Sequence, residues 1–364
     1  MGRFSGGVVN KERSKTVILV GAGGNIGSHL APHLARMKEV GQVVLIDKDF
    51  YEEKNLGSQD IISRDVGKSK AKVQALRLRQ INPSLEVRFI ADAVERIPVG
   101  ALRGDVILAC LDSRISRQSV NQLAWRLGVP LLDAGVQADS LLARVNLYVP
   151  GADSACLECA WDDGDYALLE QSYPCEGQRI APTNAPSSLG AMAASLQAIE
   201  CRKALAGDVS FSNHQVLIDA RHHRHFVTRF ARNPRCRFDH RVWSIEKLSL
   251  RLEQATLGDL FELANSDRAY ARLESKPFVK RLTCGCGRAK RLLHLYCSLA
   301  AQRCRCGQMM MAAGFDLAEK LESCELRSGD LRRALLSVGL RAGDVISLGG
   351  DCRETHYEIT DDRE

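Results

Sequence analysis

Along the first half of the chain, apolar residues come in short unbroken runs separated by amphipathic stretches. Residues 16–21, Thr-Val-Ile-Leu-Val-Gly, form a β-branched run ending in glycine, the pattern of a buried parallel strand. A helical pattern follows over 25–37, then a strand at 43–46 and a second helix over 69–80. Strands recur at 87–90, 106–110 and 130–133, with a helix between the last two. Strand and helix alternating in this way predict an α/β fold, a doubly wound, Rossmann-like, mostly parallel sheet.

The pattern then changes. Residues 140–149 alternate apolar and polar, which predicts antiparallel strands added after the parallel ones. The stretch 160–188, with Pro174, Pro182 and Pro186, reads as one long loop, and loops of that length are usually functional. An alanine-rich helix follows over 189–205, then a strand pair within 211–230 and a turn at Asn233-Pro234. A second, α+β domain is expected over 244–364, after a first domain over 1–243. It starts with two short elements, passes through a cysteine-rich segment at about 281–312, and continues at 326 with a helix. Strands around 345–348 and 355–359 close it.

Composition narrows the class. With 364 residues, 45% of them hydrophobic and 26% charged, the chain can bury a large core. That excludes a disordered, collagenous or small disulfide-stapled protein. No apolar run approaches the roughly 20 residues that span a bilayer, so no membrane association is expected. The start, Met-Gly-Arg-Phe-Ser-Gly, lacks a signal-peptide core and has Gly6 where a myristoylation signal needs Ser or Thr. A cytoplasmic location is the expectation. Charge is uneven: residues 221–310 hold 19 basic and 7 acidic residues, against 31 and 37 in the remainder. A basic block in an otherwise acidic chain suggests an anionic partner, nucleic acid or an acidic protein face, or a solvated arginine-rich surface.

Two groups of residues carry candidate chemistry. Gly21-Ala22-Gly23-Gly24-Asn25-Ile26-Gly27 follows a strand and opens a helix, the GxGxxG arrangement that brings phosphate oxygens to a helix N-terminus. Asp47 ends the next strand, placed to hold ribose hydroxyls. By itself the loop fits NAD, FAD or ATP. The 13 cysteines are many for a reducing compartment, and their spacing is that of metal ligands. Cys284-Gly285-Cys286-Gly287 and Cys304-Arg305-Cys306-Gly307 are two matching knuckles, which predicts a zinc ribbon.

Beyond the loop the chain reads Asn55-Leu56-Gly57-Ser58-Gln59, Asp65-Val66-Gly67-Lys68-Ser69-Lys70-Ala71, Ala109-Cys110-Leu111-Asp112-Ser113, and Asp133-Ala134-Gly135. A CxxC at 156–159 and a late helix around Gln197 complete the order. This succession resembles the superfamily of ThiF, MoeB and the ubiquitin-activating enzymes, over roughly residues 15–240. The resemblance implies ATP-dependent adenylation of the C-terminal glycine of a ubiquitin-like or sulfur-carrier protein, in a homodimer. By the same resemblance Gly21, Gly23, Gly24 and Gly27 cradle ATP, Asp47 binds ribose, and Asn55 and Gln59 orient phosphates. Lys70 contacts phosphate and Asp112 holds Mg²⁺. The chain departs from the family at Ser58, where an arginine is usual, with Arg64 and Arg117 as possible replacements. The family's N-terminal arginine motif has only Arg3 and Arg13 as candidates.

The resemblance also pairs Cys156 and Cys159 with later ligands, here Cys236 and, in place of a fourth cysteine, His240, giving a second structural zinc. Six cysteines remain. Cys175 lies where the family carries its thioester-forming cysteine, although Glu176 beside it would raise the thiol pKa. The expected enzyme is thus an activator of a ubiquitin-like protein, with a conjugating enzyme downstream. A sulfur-carrier adenylyltransferase and a non-catalytic nucleotide-binding adaptor stay open. An NAD-dependent oxidoreductase is disfavoured by the Asn55–Lys70 pattern.

Overall fold

The computed structural model describes residues 14–170, 185–264, 266, 268–350 and 354–361. They fold as two compact units. One takes in residues up to 91 with 104–117 and 129–238; the other takes 92–103, 118–128 and the residues from 239 on.

An eight-stranded sheet organises the first unit. Its strands are β1 (Lys15–Val20), β2 (Val40–Ile46), β3 (Glu86–Ile90), β4 (Val106–Ala109), β5 (Leu131–Gln137), β6 (Leu142–Tyr148), β7 (His214–Asp219) and β8 (Arg224–Arg229). The spatial order is β3-β2-β1-β4-β5-β6-β7-β8. The first five pair in parallel, and β6, β7 and β8 are added antiparallel. The unit's helices are α1 (Asn25–Leu34), α2 (Lys70–Ile81), α4 (Asp163–Glu170) and α5 (Ser187–Leu205), while most of α3 (Arg114–Leu127) is counted in the second unit. Val17 and Leu19 of β1 form one core with Ile26 and Leu30 of α1, Leu78 of α2 and Leu189 and Ala193 of α5. Burying each leucine or isoleucine there contributes about 1.5–3 kcal/mol. This confirms the α/β sheet expected from the apolar runs.

The second unit carries β9 (Ile245–Leu250), α6 (Leu257–Leu263), β10 (Tyr270–Leu273), β11 (Phe278–Thr283), β12 (Ala289–Leu295), β13 (Leu317–Ala318), β14 (Lys320–Glu322), α7 (Ser328–Leu331), β15 (Val345–Gly349) and β16 (Glu354–Asp361). Five of its strands form a sheet in the order β14-β10-β15-β16-β9, and β12-β11-β13 form a second one. Leu257, Leu260, Phe278, Leu295, Leu335, Ile346 and Ile359 share its core. A buried ion pair lies within this unit. Lys276 Nζ sits 3.1 Å from Asp344 and donates to the carbonyl of Ile97 at 2.6 Å.

Two expectations are corrected. The stretch 160–188 is not one loop, because α4 forms within it. Asp162 and Asp165 accept each other's backbone N–H, a reciprocal cap that nucleates the helix. The helix expected from 326 shrinks to the four residues of α7 and a short 3₁₀ turn at Leu335–Val338. Gly339 and Gly343, both with positive φ, turn the backbone before β15 and leave no room for a longer helix. Among the described residues, no helix is long and apolar enough to cross a membrane.

Candidate nucleotide site and metal centres

The order 3-2-1-4 places a topological switch between β1 and β4, where open α/β sheets bind ligands beyond their strand ends. Gly21 leaves β1 with φ +80°, and a Cβ there would stand 2.4 Å from the Cys110 carbonyl oxygen. At Gly23 a Cβ would lie 2.4 Å from Cβ of Lys70 and 2.8 Å from the Tyr51 hydroxyl. Gly24 is the extended N-cap of α1 and Gly27 lies in its first turn, which has no acidic residue. The helix N-terminus is therefore left to an outside anion.

Asp47 directly follows β2 and is buried, accepting the N–H of Gly23 at 2.8 Å and of Asp49 at 3.0 Å. Burial pushes its carboxyl above the usual range, while those two backbone donors pull the other way. Lys70 begins α2 and is buried, with Nζ 3.7 Å from the Asp49 carboxylate and 5.7 Å from the centre of the Tyr51 ring. Tyr51 is itself held by Gln74, whose Nε2 donates to the hydroxyl at 2.8 Å. Asn55 spends its Oδ1 on the backbone N–H of Glu52 at 2.8 Å, which leaves Nδ2 as the group it could offer a ligand. Gln59 Oε1 and Asn25 Oδ1 are buried acceptors that meet no donor among the described residues. A nucleotide's hydroxyl and amino groups suit such acceptors, and its phosphates suit the glycine cradle, so these residues fit ATP.

Asp112 lies just past β4, exposed, at the rim of a cavity of about 330 Å³. Arg117, Arg144, Asn146, Tyr148, Trp161 and Phe230 also line it. Asp133, fully buried, ties the two arginines together: Arg117 bonds one carboxylate oxygen and Arg144 Nη1 donates to the other at 3.0 Å. Arg117 further donates to the carbonyls of Leu111 and Ala134. It is thereby held in the wall of the cavity. The Ser58 carbonyl is taken by Asn25 Nδ2 at 2.7 Å, and Arg77 is bound to Asp60 at 2.6 Å. Arg64 is exposed on the same segment. Burial pushes the Tyr148 phenol well above its usual range, so it remains a neutral group.

The cysteines gather in two sets. Cys156, Cys159 and Cys236 lie together in the first unit, and Cys284, Cys286, Cys304 and Cys306 present ligand atoms within 4.8 Å of one another in the second unit, to which His240 also belongs. The Cys156 sulfur is 3.9 Å from those of both Cys159 and Cys236. In the second set Cys284 is 3.4 Å from Cys306, and Cys286 is 3.7 Å from Cys304. Tetrahedral zinc with bonds of about 2.3 Å to sulfur separates its thiolates by about 3.8 Å, so both sets could hold that ion. Cys175 and the N-terminal Arg3 and Arg13 lie outside the described residues.

With this geometry in view, comparison with known proteins is decisive. A family model described as the ThiF family matches residues 3–238. The chain belongs to the ThiF family. It is 30% identical over 194 residues to the sulfur carrier protein ThiS adenylyltransferase of Escherichia coli (strain K12), covering 52% of this chain and 72% of that protein. It is also 30% identical over 164 residues to ubiquitin-like modifier-activating enzyme 5 of Gallus gallus, covering 41% of each. This chain thus spans about two fifths of that second relative. Among solved structures, E. coli MccB + ATP is similar at 26% identity with a TM-score of 0.50, over 62% of this chain and 67% of that one. The ThiF-family match ends at Phe238, so the second cysteine set lies beyond it.

Several functional-looking groups of this ThiF-family chain were not singled out by motif reading. Arg144, Asn146 and Trp161 sit on elements whose sequence shows only strand alternation or a loop. Gln197 was visible only as part of a helix, yet it is fully buried and donates to the carbonyls of Leu132 at 2.8 Å and Ala109 at 3.4 Å. A lone glutamine among alanines was the one available signal. It ties the last residue of β4 to Leu132 of β5.

Proposed function

We propose that this ThiF-family chain activates a ubiquitin-like or sulfur-carrier protein by adenylating its C-terminal glycine. The observation that carries the reading is the convergence of the Gly21–Gly27 turn, Asp47 and Lys70 at the switch between β1 and β4, with Asp112 opening onto the adjoining cavity. ATP would lie with phosphates against the glycine turn and Lys70, and ribose at Asp47. Asp112 would hold Mg²⁺, which offsets the repulsion between a carboxylate and a polyphosphate. A carboxylate oxygen of the carrier's terminal glycine, lying in the cavity beside Asp112, attacks the α-phosphorus. The α–β anhydride bond breaks, and pyrophosphate leaves with its electron pair. The buried hydrogen bonds of Asp47, Arg117 and Asp133 pre-set this geometry, so little reorganisation is needed as charge develops.

The finer reading is conjugation. The thiolate of Cys175 would attack the acyl carbon and release AMP, and the thioester would pass to a conjugating enzyme. Two zinc ions per chain, a homodimer, a cytoplasmic location and an adenylation domain ending near residue 243 belong to the same proposal. Pyrophosphate exchange into ATP, with and without a glycine-ended carrier, tests the core of it. Exchange that needs the carrier supports it; nucleotide binding without exchange would favour the adaptor reading that Ser58 keeps in play. For the finer step, Cys175→Ala should keep exchange and lose a thiol-cleavable adduct with the carrier. An adduct persisting in that variant would move the nucleophile elsewhere.

A further inference from the structure

The segment 275–315 contains eight Lys and Arg residues and not one Asp or Glu. Four thiolates around a dication would subtract about two charges, which still leaves a marked positive surplus. Part of the surplus is neutralised from outside the segment: Lys276 pairs with Asp344, Lys280 with Glu325, Arg281 with Asp316 and Arg291 with Asp330. Arg288, Lys290, Arg303 and Arg305 are exposed, and among the described residues no carboxylate pairs with them.

Strand pairing sets Arg303 beside an apolar centre, and Arg288 and Arg305 belong to the cysteine knuckles next to it. Thr283 pairs with Met311 on one side and Ala289 on the other, Arg303 pairs with Met309, and Arg281 pairs with Arg291. Directly paired residues, and residues two apart along a strand, share a face. Met309 and Met311 therefore stand on one face with Thr283, and the Arg281 guanidinium lies 5.4 Å from the centre of the Phe315 ring. Met309, Met311 and Phe315 are 44, 70 and 79% exposed. Apolar groups left this open, with arginines at their margin, have the anatomy of a docking surface: an apolar centre and a polar rim.

We infer that this face of the ribbon docks an acidic protein segment whose apolar side chains cover Met309, Met311 and Phe315 while its carboxylates meet Arg288, Arg303 and Arg305. Methionines adapt to varied apolar shapes, which suits a protein partner. A nucleic-acid surface would call for a row of stacking rings along the cationic track, and this face holds the single ring of Phe315.

The test uses the full, zinc-loaded chain and three fluorescent probes: a 20-residue peptide of Glu with interspersed Leu and Phe, a peptide of equal charge with Leu and Phe replaced by Ser, and a 20-nucleotide oligo-dT. The apolar acidic peptide should bind at least tenfold more tightly than the other two. Met311→Ser with Phe315→Ser, and separately Arg288→Glu with Arg303→Glu, should each weaken it at least tenfold with zinc content unchanged. Equal binding of both peptides would reduce the surface to unspecific charge and overturn the inference. Preference for oligo-dT would make it a nucleic-acid surface, and no binding of any probe would remove it altogether.

Discussion

The ends of the parallel strands and the cysteine ribbon put their polar groups to opposite uses. At the strand ends Asp47, Lys70, Asn55 and Asp133 are buried, each held by a neighbour. In the ribbon Cys284 and Cys304 are buried, while Arg288, Arg303 and Arg305 face solvent. Buried polar groups are costly and have few alternative arrangements, so they position a reacting ligand. Exposed cations cost little and remain adaptable, so they suit recognition. The local frame differs in each place: a packed eight-stranded sheet in the first, short strand pairings around four cysteines in the second.

The sharpest way to break this contrast is Asp112→Ala. Because Asp112 is exposed and outside the core, the variant should fold normally and lose pyrophosphate exchange by about 10²–10³-fold or more. Retained exchange with an unchanged melting curve would remove it from the mechanism. Next comes Gly23→Ala, whose new methyl would press on Lys70 and the Tyr51 hydroxyl. Overpacking of about 1–3 kcal/mol predicts roughly ten- to hundredfold weaker ATP binding, measurable by calorimetry.

Cys284→Ser addresses the other side of the comparison. Elemental analysis should fall from about two zinc ions per chain to about one, with exchange kept within about twofold. A wild-type metal count of zero would end both zinc assignments. The smallest effect concerns acid. Burial lowers the pKa of both His29 and His33 of α1 below the ordinary 6.5. The unfolded chain therefore binds more protons than the folded one once pH falls below about 6.5, and stability declines through the lowered folded values. The melting temperature should drop by a few degrees between pH 7.5 and 5.5, and less so in His29→Gln with His33→Gln.

Much of this was legible in the residues. The runs at 16–21 and 43–46 announced parallel strands because a strand buried on both faces must be continuously apolar. The glycine turn and Asp47 were legible because only glycine allows the approach at Gly21 and Gly23. The ribbon could be read from its knuckles because ligand spacing is local. The cap that makes α4 a helix was overlooked, since reciprocal Asp162–Asp165 bonding looks like any acidic loop. The motif order does not show that Asp133 holds Arg117, because the two lie on different elements that only the sheet brings together.

Sequence alone determined the parallel sheet, the glycine turn and the Cys284–Cys306 knuckles, because each depends on residue type at short separation; the link from Cys156 and Cys159 to Cys236, 80 positions on, came only with the family resemblance. Only the tertiary structure decided that Asp133 joins Arg117 to Arg144 in the wall of a cavity, that Gln197 ties β4 to β5, and that Met309, Met311 and Phe315 share an open face. Those relations depend on strand pairings and on contacts between residues up to 88 positions apart, which packing of the whole sheet sets and no local pattern records.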